Sequence, residues 1–277
     1  MQNIVDLNEK NKNEIARYIY DANITIVNSV VPTVSVKKSF YTRYGKRLFD
    51  FIVALLVVVI TVPINIILAI ITFCDVGFPI IYKQQRTGKD KKVFTIYKFR
   101  NMTNEKDING ELLPPEKRVT KWGRFVRKTS LDELLNFVSI LKGDMSLVGP
   151  RPLLNDYVEF YNDYHMKRFA LRPGLECPAI DKLDHVMDWK ERLDNDVWYV
   201  QNCSFLVDLK MIFRILQIAL NRKATRIRGK ANVGRFLGYS KDGSIITSHA
   251  VPDEFCDMFC EKHGFNSIEE VIKSYQK

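Results

Sequence analysis

Several absences narrow this 277-residue chain before any motif is read. Cysteine is sparse. Cys74, Cys177, Cys203, Cys256 and Cys260 form an odd, scattered set that argues against a disulfide framework and suits reduced thiols facing a cytosol. The first forty residues hold no apolar run behind a basic start, so no cleavable leader is expected. No internal repeat and no nucleic-acid-binding motif is visible, and nucleic acid is not an expected partner. His165 and His185 have no nearby partner pattern. Cys256-x-x-x-Cys260-x-x-His263 lacks an obvious fourth ligand. It reads as one face of a terminal helix beside Phe255 and Phe259 more readily than as a zinc site.

What is present is basic and partly very apolar. The net charge of +10 and pI near 9.3 point to an anionic partner: nucleic acid, an anionic membrane surface or a phosphorylated substrate. Residues 51–73 are almost wholly apolar and long enough to cross a bilayer core of ~30 Å as a helix. Pro63 sits inside this segment, followed by Asn65, so a bend is expected there. Lys37, Lys38, Arg43, Lys46 and Arg47 precede the segment, and Lys83, Arg86, Lys89, Lys91 and Lys92 follow it. Cytoplasmic flanks attract lysine and arginine, and here both flanks qualify. A re-entrant helix-break-helix meets that condition slightly better than a spanning helix. A buried soluble helix fits least.

Elsewhere the pattern predicts an α+β, mainly helical protein. Residues 1–43 read as a polar lead-in, with a short helix at Asn8 to Tyr20 and β-like composition from Ile24 to Val36. Residues 44–75 form the membrane segment, 76–224 a compact membrane-associated catalytic domain, and 225–277 an appendage without assigned role. Strands are expected at Ile80 to Lys83 and Val93 to Phe99, either side of a turn at Gly88 and Lys89. Thr103 to Lys117 reads as a loop. Helices are expected over Leu131 to Leu141, Asp156 to Leu171 and Leu206 to Leu220, and at the end of the appendage after a turn at Asp242-Gly243. Trp122, Trp189 and Trp198 suit either a core or a membrane interface, and the basic stretch Arg222 to Arg235 either lipid headgroups or solvent.

Asp132 and Glu133 stand out because like charges repel and need a reason to be adjacent. Ser130-Leu131-Asp132-Glu133 fits a capping box, with Ser130 capping the helix and Glu133 reaching back to its N–H. Spacing alone favours that cap. The same residues also suit phosphate chemistry. A helix N-terminus attracts phosphate, one carboxylate can attack phosphorus, and its neighbour can hold a divalent metal or move a proton. Arg127 and Arg151 would then neutralise phosphate oxygens.

Three blocks carry a resemblance: Tyr97-Lys98-Phe99-Arg100-Asn101-Met102, Arg127 to Leu134, and Leu141 to Pro152 with Gly149-Pro150-Arg151-Pro152 at its end. With Lys46 to Asp50 and Tyr82 to Gly88 upstream, the chain resembles the monotopic phosphoglycosyl transferases from roughly Tyr44 to Asn221. The resemblance implies a re-entrant membrane helix and a catalytic domain on the cytoplasmic face of a bacterial inner membrane. It implies transfer of a sugar phosphate from a nucleoside diphosphate sugar, a UDP-sugar, to polyprenyl phosphate with Mg2+. This would be the priming step of capsule, exopolysaccharide or glycoprotein glycan assembly. Asp132 maps onto the family's nucleophile, Glu133 onto its metal-binding or proton-moving partner, and Lys98, Arg127 and Arg151 onto its basic positions. Membrane lipid is a further expected partner, and a homo-oligomer stays open. One departure is plain. Arg172-Pro173-Gly174-Leu175 continues as Glu176-Cys177-Pro178-Ala179-Ile180, where many relatives carry Thr-Gly-Trp-Ala-Gln and a later Gly-Arg-Asn. The rival readings are a degenerate, membrane-anchored scaffold and an anionic-lipid-binding module.

Overall fold

The computed structural model describes residues 1–107, 110, 112–179, 186–221 and 233–274. Ile180, His185 and most of the Arg222 to Arg235 stretch lie outside them. Helix α1 runs Glu9–Val30, capped by Asn8, whose side chain accepts from the Asn11 N–H. The β-branched run from Ile24 was expected to be extended, but it continues this helix as far as Val30. Local β-propensity yields because Ile15, Ile19 and Val27 line one face and are fully buried by the far end of the chain.

Helix α2, Lys46–Val76, follows a short π-helical turn at Tyr41–Gly45. It is the one helix among the described residues long and apolar enough to cross a membrane. Helical backbone continues through Pro63, where a break was expected. The Thr61 hydroxyl donates to the Val57 carbonyl at 2.8 Å beside the site of the missing donor. Large apolar residues from Leu55 to Ile67 stay exposed, Ile60 at 68%. The two ends are tied to the rest of the chain. Arg47 donates to the Ile140 and Leu141 carbonyls at 2.6 and 2.7 Å, and Asp50 accepts the Leu147 N–H at 3.1 Å. At the other end Leu68 packs with Phe99 and Val126, and Thr120 donates to Asp75 at 2.6 Å.

Strands β1 (Ile81–Thr87) and β2 (Val93–Phe99) form an antiparallel hairpin with Ile81 opposite Phe99 and Thr87 opposite Val93. Helix α3, Lys121–Thr129, lies close against Asn101, two residues beyond β2. A Cβ on Gly123 would fall 2.1 Å from the Asn101 carbonyl oxygen, so only glycine allows the approach. Helix α4 covers Asn136–Lys142, and the short strands β3 (Ser146–Val148) and β4 (Gly174–Glu176) pair in parallel. Their backbones nearly touch at Gly149 and Gly174, where a Cβ on Gly174 would lie 2.1 Å from the Gly149 nitrogen. The helix expected over Asp156 to Leu171 is instead two 3-10 turns, Asn155–Phe160 and His165–Ala170. Tyr157, Phe160 and Phe169 point from them into the core.

Helices α5 (Trp189–Asn202) and α6 (Phe205–Leu220) complete this part of the chain. One face of α6 leaves Leu206, Leu209, Phe213 and Leu216 exposed, and Phe205 packs edge-on against Tyr41 and Phe49 beside the membrane helix. The remainder is a β5 (Phe236–Tyr239) and β6 (Ile245–Thr247) hairpin with α7 (Asp253–His263) and α8 (Ile268–Ser274). Lead-in and appendage share one core. Ile4, Ile15 and Ile19 meet Phe236, Leu237, Val251 and Phe259, and Tyr157, Tyr161 and Trp189 close it from the central part. Cys256 and Cys260 are buried in the same core, and burial pushes the Cys256 thiol up to about 12. His263 does not join them and pairs with Glu14 at 3.1 Å.

Candidate active site

Asp132 and Glu133 lie in a 3-10 turn, Leu131–Glu133, between α3 and α4. Leu131, Leu134 and Leu135 pack onto the small core of Leu68, Phe99 and Val126, so the turn rests on the second half of the membrane helix. The capping box does not form. Ser130 is in the left-handed region (φ 55°, ψ 20°), ends α3 through its own N–H, and makes no side-chain cap. The reason is competition for Glu133. Its Oε1 accepts from Lys98 Nζ at 2.6 Å and from Arg151 Nη2 at 2.9 Å, two cations against one neutral N–H. Both bonds fall on the same oxygen. Oε2 accepts no hydrogen bond among the described residues.

Asp132 is buried, and its Oδ2 accepts from Asn101 Nδ2 at 3.2 Å. Burial and the adjacent Glu133 charge push its carboxyl above the ordinary range, against the pull of Lys98 and Arg127. Burial acts on Glu133 in the same direction, but Arg151 and Lys98 outweigh it and hold that carboxyl below its ordinary range. Adjacent carboxylates are thus driven apart, the arrangement that divides labour between two acids.

Lys98 comes from β2, next to Tyr97, whose N–H donates to Asn136 of α4 at 3.1 Å. Arg151 follows β3. The buried Arg168–Asp196 pair supports it, with Arg168 Nη2 donating to the Arg151 carbonyl at 2.8 Å. Arg127 ends α3, is exposed, makes no side-chain hydrogen bond among the described residues, and acts on Asp132 through space. The structure therefore gathers Lys98, Arg151, Asp132 and Glu133 directly and Arg127 at longer range. Sequence reading passed over two contributors. Asn101 lies in a quoted block without a role. Glu176, the first residue of the divergent loop, accepts from Arg151 Nη1 at 3.3 Å, because parallel pairing sets Glu176 opposite Val148.

A magnesium ion that keeps water and takes phosphate oxygens needs only one or two carboxylates, and the lightly bonded Asp132 and Glu133 Oε2 are the oxygens that would face it.

Residues 41–222 match the family described as bacterial sugar transferase. The chain is 40% identical over 193 residues to an uncharacterised sugar transferase, EpsL, of Bacillus subtilis, covering 70% of this chain and 96% of that one. It is 35% identical over 198 residues to undecaprenyl-phosphate galactose phosphotransferase of Salmonella typhimurium, covering 65% of this chain and 41% of that one. It is also 35% identical over 194 residues to UDP-glucose:undecaprenyl-phosphate glucose-1-phosphate transferase of Klebsiella pneumoniae, at 66% and 42%. The match spans less than half the length of these last two proteins.

Proposed function

The chain belongs to the bacterial sugar transferase family, as its motifs lead one to expect, and from that premise we propose that it moves a sugar 1-phosphate from a nucleoside diphosphate sugar, a UDP-sugar, to undecaprenyl phosphate. The observation that carries this reading is the unequal state of the two carboxylates. Glu133 is pinned by Lys98 and Arg151, while Asp132 keeps acceptor capacity and sits beside exposed Arg127. A pinned carboxylate organises a site, and a lightly held one can form a bond.

Asp132 attacks the phosphorus that carries the sugar, and the nucleoside monophosphate leaves with the electron pair of the broken P–O bond. An oxygen of polyprenyl phosphate then attacks the same phosphorus and returns the Asp132 carboxylate. Lys98 and Arg127 face the charge that gathers on the phosphoryl oxygens. Magnesium, held by Asp132 and Glu133, would supply further neutralisation of phosphate charge.

The reaction joins a water-soluble donor to a lipid, so the dyad belongs at the bilayer surface. Two features support a membrane segment that enters and leaves by one face. Both ends of α2 bond to the same stretch of chain, within residues 120–148, while its middle stays apolar and exposed. The apolar face of α6 continues that surface beside the N-terminal end of α2. On this reading the catalytic part faces the cytoplasm.

The test is nucleoside monophosphate release from a panel of nucleotide sugars, with magnesium and undecaprenyl phosphate, for wild type and Asp132→Asn. Release with one donor, lost in the variant, is expected. No release with any donor would leave a membrane-bound scaffold as the better account.

A further inference from the structure

The basic groups at the dyad divide by what they already hold. Lys98 is committed to Glu133, and Arg151 is shared among Glu133, Glu176 and the Leu175 carbonyl. Arg86 is different. Its one hydrogen bond among the described residues runs from Nη2 to Gln84 of its own strand at 2.6 Å, and its Nε is buried without a partner. Register places it. Residues opposite one another in an antiparallel pair share a face, so Tyr82 with Lys98, Gln84 with Ile96 and Arg86 with Phe94 all leave the hairpin on one side. That is the side from which Lys98 reaches Glu133. The next residues, Thr87 and Gly88, line one cleft with Pro150 and Arg151. Burial, then the neighbouring Arg151 charge, work against the Arg86 proton, with Tyr82, Tyr157 and Glu133 opposing them. A half-buried guanidinium beside another, with an orphaned donor, is stabilised by an arriving anion.

The chemistry of the proposed transfer decides which anion. Lys98 links the Arg86 face of the hairpin to Glu133, and Arg151, bonded to the same Glu133 oxygen, shares its cleft with Thr87 and Gly88. Entering and leaving oxygens in phosphoryl transfer are roughly in line, so a group displaced by Asp132 departs on the far side. An acceptor that later expels Asp132 approaches the same phosphorus along that line.

We propose that Arg86, with Arg151, clamps a phosphate beside the dyad, at the position shared by the group that Asp132 displaces and the acceptor that later expels it. The phosphate leaving with the nucleoside fills that position first, and the incoming polyprenyl phosphate fills it second. This rests on the transfer reaction proposed above. In the first half the Asp132 O–P bond forms and the P–O bond to the nucleotide phosphate breaks, its electron pair leaving on that oxygen. In the second half a polyprenyl phosphate oxygen forms the new bond to phosphorus and the Asp132 O–P bond breaks.

The experiment uses the full chain in lipid nanodiscs. Uridine monophosphate binding is titrated calorimetrically, and KM for undecaprenyl phosphate is measured, for wild type, Arg86→Gln and Arg86→Lys, with thermal midpoints as the folding control. Arg86→Gln is expected to weaken uridine monophosphate binding and raise the acceptor KM, each by about tenfold or more, at an unchanged midpoint. Arg86→Lys keeps the charge without the fork and is expected to recover part of both. Arg86→Gln binding uridine monophosphate as tightly as an active wild type overturns the clamp alone. An effect on only one of the two ligands overturns the shared position. A wild type that neither releases nor binds the nucleotide overturns the transfer reading itself.

Discussion

Lys46–Asp208 and Lys98–Glu133 are both ion pairs 2.6 Å long, yet their surroundings differ in kind. Asp208 is fully buried. Its Oδ2 takes Lys46 and the Tyr41 hydroxyl, and its Oδ1 takes the Tyr199 hydroxyl at 2.6 Å, so both oxygens are filled. At the dyad, two cations crowd onto one oxygen of Glu133, and Asp132 takes a single amide. A buried carboxylate whose acceptors are filled joins elements: here it ties the start of the membrane helix to α5 and α6. A buried carboxylate with lone pairs to spare is available to a ligand.

The sharpest way to break this comparison is to remove each charge in turn. Asp132→Asn is expected to lower nucleoside monophosphate release by on the order of a thousandfold or more while the protein stays folded. Comparable release from both proteins would erase the distinction. Asp208→Asn is expected to act on stability instead, costing roughly 3–5 kcal/mol because Lys46 is left buried and unpaired. Denaturant unfolding of the detergent-solubilised protein checks this, and a cost below that of Asp132→Asn would reverse the assignment.

A third test uses pH. In the proposed reaction Asp132 attacks as the anion, and its carboxyl is held above the ordinary range, so activity should fall on acidification earlier than an ordinary aspartate would allow. Lys98 lowers that carboxyl. Lys98→Met should therefore move the acid limb of the kcat/KM profile to higher pH, and an unmoved limb would detach Lys98 from the nucleophile. The smallest effect concerns backbone strain. Ser130 adopts a left-handed conformation two residues before Asp132. Ser130→Gly should raise stability by about 0.5–1 kcal/mol, read as a higher thermal midpoint.

How far the sequence can be read depends on whether partners are local. The β1–β2 hairpin and α6 were legible because their signals are periodic and self-contained. Asp132, Glu133, Lys98 and Arg151 were legible as ordered blocks, and the structure brings all four together. The capping box misled because its spacing is satisfied while its glutamate is drawn away by residues 35 positions before and 18 after. The extended reading of Ile24 to Val36 failed over its first half because helix α1 gains its burial from residues beyond 230. Arg86 stood in plain view as one cation of a basic flank. Only strand register shows that it shares a face with Lys98.

The shared core of the two outer segments also has a consequence for synthesis. Helix α1 is complete roughly 200 residues before β5 exists, an interval of about 10–40 s at ribosomal speeds. Throughout it, Ile15, Ile19 and Val27 lack their partners in β5 and α7, and α2 must enter the bilayer in the meantime. The nascent chain thus presents a sticky amphipathic helix to the translation machinery, and holding it apart from other chains is work for a chaperone. The segment made first is among the last to find its place.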